Sequence, residues 1–155
     1  MTYLVYCFIV CVLAAVDQYT KGLVVSHIGL NESIEVIKGF FDLTYVRNYG
    51  AGFSIMQNAT LTFYIITPFC LALIVYLLLK ARKNDYLSIT GLLLMIGGTI
   101  GNFIDRIVHI YVIDFLDFII FGYDFPVFNF ADSCLTVGVF LYILAVFLES
   151  RNAKA

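Results

Sequence analysis

Apolar residues gather into four long runs: Tyr3 to about Val25, Leu61 to Leu79, Leu87 to Ile104, and about Ala131 to Leu148. A helix needs about 20 apolar residues to cross the hydrocarbon core of a bilayer, so the pattern predicts four membrane spans. The first is apolar up to Val16 and is then broken by Asp17-Gln18-Tyr19-Thr20-Lys21. The second carries no charge, and the short turn Lys80-Ala81-Arg82-Lys83-Asn84-Asp85 joins it to the third. Between the first two spans, over about 27–60, the period changes. Ile34-Glu35-Val36-Ile37-Lys38 alternates, and Phe40 to Val46 is rich in aromatic and β-branched residues. Gly39 and Asn48-Tyr49-Gly50 punctuate these runs, which read as short strands that rest on the helices, being too few to fold alone. The run from Phe115 to Phe125 is strongly aromatic but contains Asp117 and Asp124. It predicts a segment at the membrane interface with some helix, either a flap over a site or an aromatic belt. The expected architecture is a single all-α membrane domain over residues 1–155, with four transmembrane helices, a small β-rich extracytoplasmic part and this interfacial segment.

Composition strengthens the membrane reading. Hydrophobic residues make up 62% of the 155, and charged residues only 13%, against roughly 45–50% and about 25% in soluble domains. That excludes a soluble enzyme and a disordered chain. The net charge of -2 also argues against a nucleic-acid partner. Short loops rich in Lys and Arg stay in the cytoplasm. The turn at 80–86 and the tail with Arg151 and Lys154 are therefore expected on the cytoplasmic side of the membrane. Four spans then bring the N-terminus inside too, and 26–60 and 105–130 face outward. Ala14 and Ala15 resemble a signal-peptide cleavage region, but no cation precedes the apolar run as a signal peptide requires. Cys7, Cys11, Cys70 and Cys134 lie in apolar runs without a C-x-x-C pair, and His27 and His109 are the only histidines. Neither a disulfide framework nor a zinc site is expected.

Against this background the charged residues inside apolar runs stand out. A charge at mid-membrane costs about 2.5–3.5 kcal/mol, whereas one Leu or Ile returns about 0.3–0.6 kcal/mol. Yet Asp17, Asp105, Asp114 and Asp132 all lie in or beside these runs, so a shared polar pocket is expected. Asn102, Asp105 and Arg106 stand at i, i+3 and i+4, on one helix face. Gly97 and Gly101 just before them let a neighbouring helix come close. Asn129 and Asp132 open the fourth span, where free N–H groups and the helix dipole favour an anion. Two aspartates brought together share a proton, and one then serves as base toward a water while the other serves as acid. That is the chemistry of an aspartic peptidase. Asp114 and Asp132 are the preferred pair. Asp105 is a second candidate partner for Asp132, less suited because the adjacent Arg106 should hold it ionised. Asp17 and Lys21, at i and i+4, suggest an ion pair at a helix end; a Ser–Lys peptidase using Lys21 with Ser26 or Ser133 is the alternative. Buried carboxylates also suit a proton-coupled transporter, although the polar residues cluster at one side rather than forming a path.

Taken together, Asp17 to Lys21, Asn48-Tyr49-Gly50-Ala51-Gly52-Phe53, Gly97 to Arg106, Val112-Ile113-Asp114-Phe115 and Phe128-Asn129-Phe130-Ala131-Asp132 resemble the five boxes of the bacterial lipoprotein signal peptidases, or type II signal peptidases, in order and over essentially the whole chain. Gly52 stands where many relatives have alanine, and Phe125 where a tryptophan before the proline is common. The resemblance implies cleavage of a prolipoprotein immediately before its diacylglyceryl-modified cysteine, with Asp114 and Asp132 catalytic and no metal or cofactor. It also implies that Asp17, Asn48, Gly50, Asn102, Asp105, Arg106, Asn129 and Ala131, together with Lys21 of the first box, support the pocket or contact substrate, and that globomycin inhibits. Membrane lipid is the expected surrounding partner, and a monomer the expected state.

Overall fold

The computed structural model describes residues 2–50 and 60–152. Ala51, Gly52 and Phe53 of the second box, with the end of the expected β-rich stretch, fall outside the described residues. In chain order the elements are α1 (Thr2–His27), β1 (Ser33–Ile37), β2 (Phe41–Asn48), α2 (Thr60–Lys80), α3 (Tyr86–His109), β3 (Val112–Ile120), β4 (Tyr123–Phe128) and α4 (Phe130–Asn152). All four helices are long and apolar enough to cross a membrane.

The helices differ in what surrounds them. Over its most apolar stretch α3 is 56% buried within the protein, against 6% to 22% for the other three, so α3 is the central helix. Small residues make this possible. A Cβ at Gly91 would lie 2.7 Å from the carbonyl oxygen of Gly138, which brings the backbones of α3 and α4 into contact. On its other side Gly97 faces Leu13 of α1, the close approach expected of its spacing with Gly101. Ile74 of α2 joins Leu92 and Ile96 of α3 in an apolar core. Helix α3 begins at Asp85, whose carboxylate accepts from the Ser88 N–H. It ends at Ile110, in the left-handed conformation (φ 70°) with its N–H on the Arg106 carbonyl. It therefore runs five residues beyond Ile104, and Asn102, Asp105 and Arg106 lie within it.

The strands form one antiparallel sheet in the order β1-β2-β3-β4. The partial helix expected within residues 115–125 is instead two strands and a turn: Phe41 pairs with Phe118, Leu43 with Leu116, and Phe118 with Phe125. The turn at Phe121-Gly122 has both residues at positive φ (51° and 78°), which closes a hairpin rather than starting a helix. The deciding partner is β2, some 70 residues upstream, which supplies the backbone bonds that a local pattern cannot reveal. The sheet sits on the end of α1: Val24 and Ile28 pack with Tyr45, Ile113 and Phe115.

Candidate active site

Chain direction sets where the polar groups meet. Gly97 facing Leu13 and Gly101 facing Asp17 make α1 and α3 parallel; Gly91 against Gly138 and Gly98 against Ala131 make α3 and α4 antiparallel. The C-terminal half of α1, the C-terminal half of α3 and the N-terminus of α4 thus share one end of the bundle, beside the sheet.

At that end Asn129 and Asp132 cap α4 reciprocally. The Asp132 N–H donates to Asn129 Oδ1 (2.9 Å), and the Asn129 N–H donates to Asp132 Oδ2 (3.2 Å). The other Asp132 oxygen accepts from Asn102 Nδ2 at 2.7 Å. Asp114 projects from β3 and accepts from Asn48 Nδ2 (2.8 Å) and Asn129 Nδ2 (2.7 Å). Asn129, wholly buried, therefore binds one aspartate through its amide nitrogen and the backbone of the other through its amide oxygen. Asn48 is itself oriented by the Gly50 N–H, which donates to Asn48 Oδ1 at 2.9 Å.

Asp114 and Asp132 line one cavity of about 380 Å³, with Asn48, Asn102 and Arg106 on its polar side. Phe125 to Phe128 of β4 and Leu135 and Val137 of α4 form its apolar side. Burial, and after it the charge of Asp132, push the Asp114 carboxyl up to about 7. The Arg106 guanidinium donates to the carbonyls of Gly50 (3.1 Å) and Asn102 (3.3 Å) and lies 4.4 Å from the Phe63 ring centroid. Among the described residues this cation in the cavity wall has no direct ion-pair partner.

Behind the cavity lies a second, wholly buried charge cluster. Lys21 Nζ lies 2.8 Å from Asp17 Oδ2 and 2.9 Å from Asp105 Oδ2, and donates to Asn102 Oδ1 at 3.0 Å. All three ammonium hydrogens have acceptors. Asp17 Oδ1 accepts the Ala131 N–H (3.0 Å), and Asp105 Oδ2 accepts the Ile113 N–H (3.0 Å). One cluster therefore ties α1, α3, β3 and the start of α4 together. A Cβ at Gly101 would fall 2.5 Å from Asp17 Oδ2, so only glycine leaves room for it.

Three expectations need correction. Asp105 is held by Lys21 and not by Arg106, because neighbours i and i+1 on a helix do not face each other. The Asp17–Lys21 pair is buried in the network rather than solvated at a helix end. Lys21 contacts neither serine: Ser26 donates to the Leu23 carbonyl and Ser133 to the Asn129 carbonyl, so no Ser–Lys dyad is assembled. One contributor escaped the sequence reading. Gln18 Nε2 donates to Asp105 Oδ1 (2.9 Å), Asp17 Oδ2 (3.1 Å) and the Gly101 carbonyl (3.2 Å). Its position in the polar break of the first span, beside Asp17, was the available signal.

The chain is similar to known proteins over nearly its whole length. The profile of signal peptidase (SPase) II matches residues 9–148. The lipoprotein signal peptidase of Halalkalibacterium halodurans is 44% identical over 151 residues, covering 97% of each chain. That of Listeria monocytogenes is 42% identical over 149 residues, covering 96% of this chain and 97% of its own. A bacterial membrane enzyme solved by the in meso method at 2.3 Å resolution superposes with a TM-score of 0.89 at 38% identity, covering 96% of this chain and 90% of that one. A second, solved at 1.9 Å, gives 0.83 at 39% identity, covering 92% of each. With its four apolar helices, its small antiparallel sheet and these relatives, the chain belongs to the signal peptidase II family, the membrane peptidases that remove signal peptides from lipoproteins.

Proposed function

We propose that Asp114 and Asp132 are the catalytic pair, and that they cleave a prolipoprotein immediately before its diacylglyceryl-modified cysteine. The observation that carries the proposal is the pair of carboxylates on one cavity wall, bridged by Asn129, with Asp114 balanced near neutral pH. Asp132 takes the base role, since it accepts two N–H bonds in the first turn of a helix. It removes a proton from water as the oxygen attacks the scissile carbonyl carbon. Asp114 donates its proton to the carbonyl oxygen, which gives a neutral gem-diol. Asp132 then passes its proton to the amide nitrogen, the C–N bond breaks, and Asp114 recovers a proton from a hydroxyl. Arg106 and the Asn48 and Asn102 amides favour the developing negative charge from the cavity wall.

The apolar wall from Phe125 to Phe128 and the lipid-facing helices suit a substrate that enters sideways, its acyl chains in lipid. The cation-rich turn after α2 and the C-terminal end of α4 lie away from the aspartates, which supports the active site at the outer face of the inner membrane with both termini in the cytoplasm. Asp17, Lys21, Asp105 and Ala131 support the pocket from behind; Asn48, Gly50, Asn102, Arg106 and Asn129 shape it. Globomycin is expected to occupy the same cavity, and the chain to act as a monomer. The test is release of the signal peptide from a lipid-modified precursor by purified protein, with Asp105, Asp114 and Asp132 each changed to Asn. Asn at 114 or 132 should abolish release while the protein still folds. Full activity of either variant would overturn the assignment.

A further inference from the structure

At the opposite end of the bundle a second cavity, of about 380 Å³, opens between α1 and α3. Its floor is apolar, formed by Ile9, Ile89 and Leu93, and its mouth carries Tyr6, Tyr86 and Lys83. The turn between α2 and α3 holds three cations, and the structure gives two of them other company. Lys80 Nζ lies 5.8 Å over the Tyr76 ring, back along α2. Arg82 lies 3.2 Å from Glu149 of α4. Among the described residues Lys83 has no ion-pair partner, and it is the one cation of the turn that faces this groove. Asp85, two residues on, is committed to capping α3 through the Ser88 N–H.

We propose that this groove is a binding site for one anionic phospholipid. An acyl chain lies along Ile9, Ile89 and Leu93, and the phosphate meets the Lys83 ammonium. The fit is amphipathic in the right sense. The apolar floor lies between α1, largely exposed along its span, and the central helix α3, whereas the cation and the exposed Tyr86 stand at the helix ends, where headgroups lie. Basic pockets between membrane helices favour anionic headgroups by about 1 kcal/mol per cation, or about fivefold in affinity. The groove is remote from Asp114 and Asp132, so the site stands whatever roles those residues play.

The test uses the full-length protein in bilayer discs of equal phosphatidylglycerol and phosphatidylcholine with matched chains, and native mass spectrometry reads the lipid that stays bound. Wild type should retain phosphatidylglycerol about fivefold over phosphatidylcholine. Lys83→Gln should lose that preference, while Lys83→Arg and Lys80→Gln should keep it. Thr90→Phe, which fills the groove and leaves Lys83 in place, should also lose it, which guards against misfolding of the Lys83 variant alone. Thermal midpoints in pure phosphatidylcholine and signal-peptide release should match wild type in both. Equal retention of the two lipids by wild type, a preference that survives Thr90→Phe, or a mass showing a second protein copy in place of lipid would each overturn the proposal.

Discussion

Removing the charge of Asp114 should change how stability depends on pH. Its carboxyl is pushed from 3.8 to about 7 in the folded protein, so the folded state holds a proton that the unfolded chain has released. Between those two values each pH unit costs about 1.36 kcal/mol of stability. The contribution is fully present below about 4 and lost as pH rises through 7. From about pH 5 to about pH 8 wild type should therefore lose about 2–3 kcal/mol on account of this one group. Asp114→Asn cannot titrate and should lack that fall. The amide also leaves a donor facing Asn48 or Asn129, where a carboxylate oxygen accepted a bond, at a cost of about 1–3 kcal/mol, but that cost does not vary with pH. The informative quantity is accordingly the difference between the two pH profiles, measured by denaturant unfolding in detergent micelles. Convergence of the variant toward or above wild type at high pH supports the argument. Parallel profiles from about pH 5 to 8 would refute it, because Asp114 would then titrate alike folded and unfolded.

Other consequences can be checked separately. If Asp114 is the proton donor, kcat for release of the signal peptide should decline as pH rises through about 7, read from single-turnover assays. Lys21→Met leaves Asp17 and Asp105 buried without their cation and should cost about 3–5 kcal/mol, seen as a large drop in thermal midpoint. Gly101→Ala forces a methyl against the Asp17 carboxylate and should destabilise by about 1–3 kcal/mol in the same measurement. Gly122→Pro cannot hold the φ of 78° at the β3–β4 turn, yet nothing lies within 4 Å of that position. Turnover should fall with the helical bundle's melting unchanged. Unchanged turnover would favour an aromatic belt over a moving flap.

Much of this was legible in the chain because two signals are local. Span length needs only consecutive apolar residues, so all four helices follow from the runs beginning at Tyr3, Leu61, Leu87 and Ala131. Helix periodicity needs only i+3 and i+4 spacing, so Asn102, Asp105 and Arg106 could be placed on one face and Asn129 with Asp132 at a helix start. What stayed hidden depends on distant partners. Strand β3 is strand because β2 pairs with it, and that pairing is invisible in residues 112–120. The company of Lys21 includes Asp105, 84 positions away, so spacing alone gave only half of its pairing. Gln18 donates to three acceptors on two helices; its place beside Asp17 marked it as polar within a span but could not name partners more than 80 residues away.

The contrast between α3, more than half of whose apolar stretch is buried within the protein, and α2, with only 6% of it buried, bears on how freely each can vary. A helix face turned to hydrocarbon is asked only to be greasy: on the exposed side of α2, at Ile65, Phe69, Leu73 and Leu79, apolar residues are close to interchangeable, whereas Ile74 and Phe63 have set partners. Along α3 the buried positions have fixed neighbours and a fixed size. Mutational tolerance should therefore be strongly unequal between two helices of similar length, with the vulnerable letters concentrated where the chain uses its smallest residues.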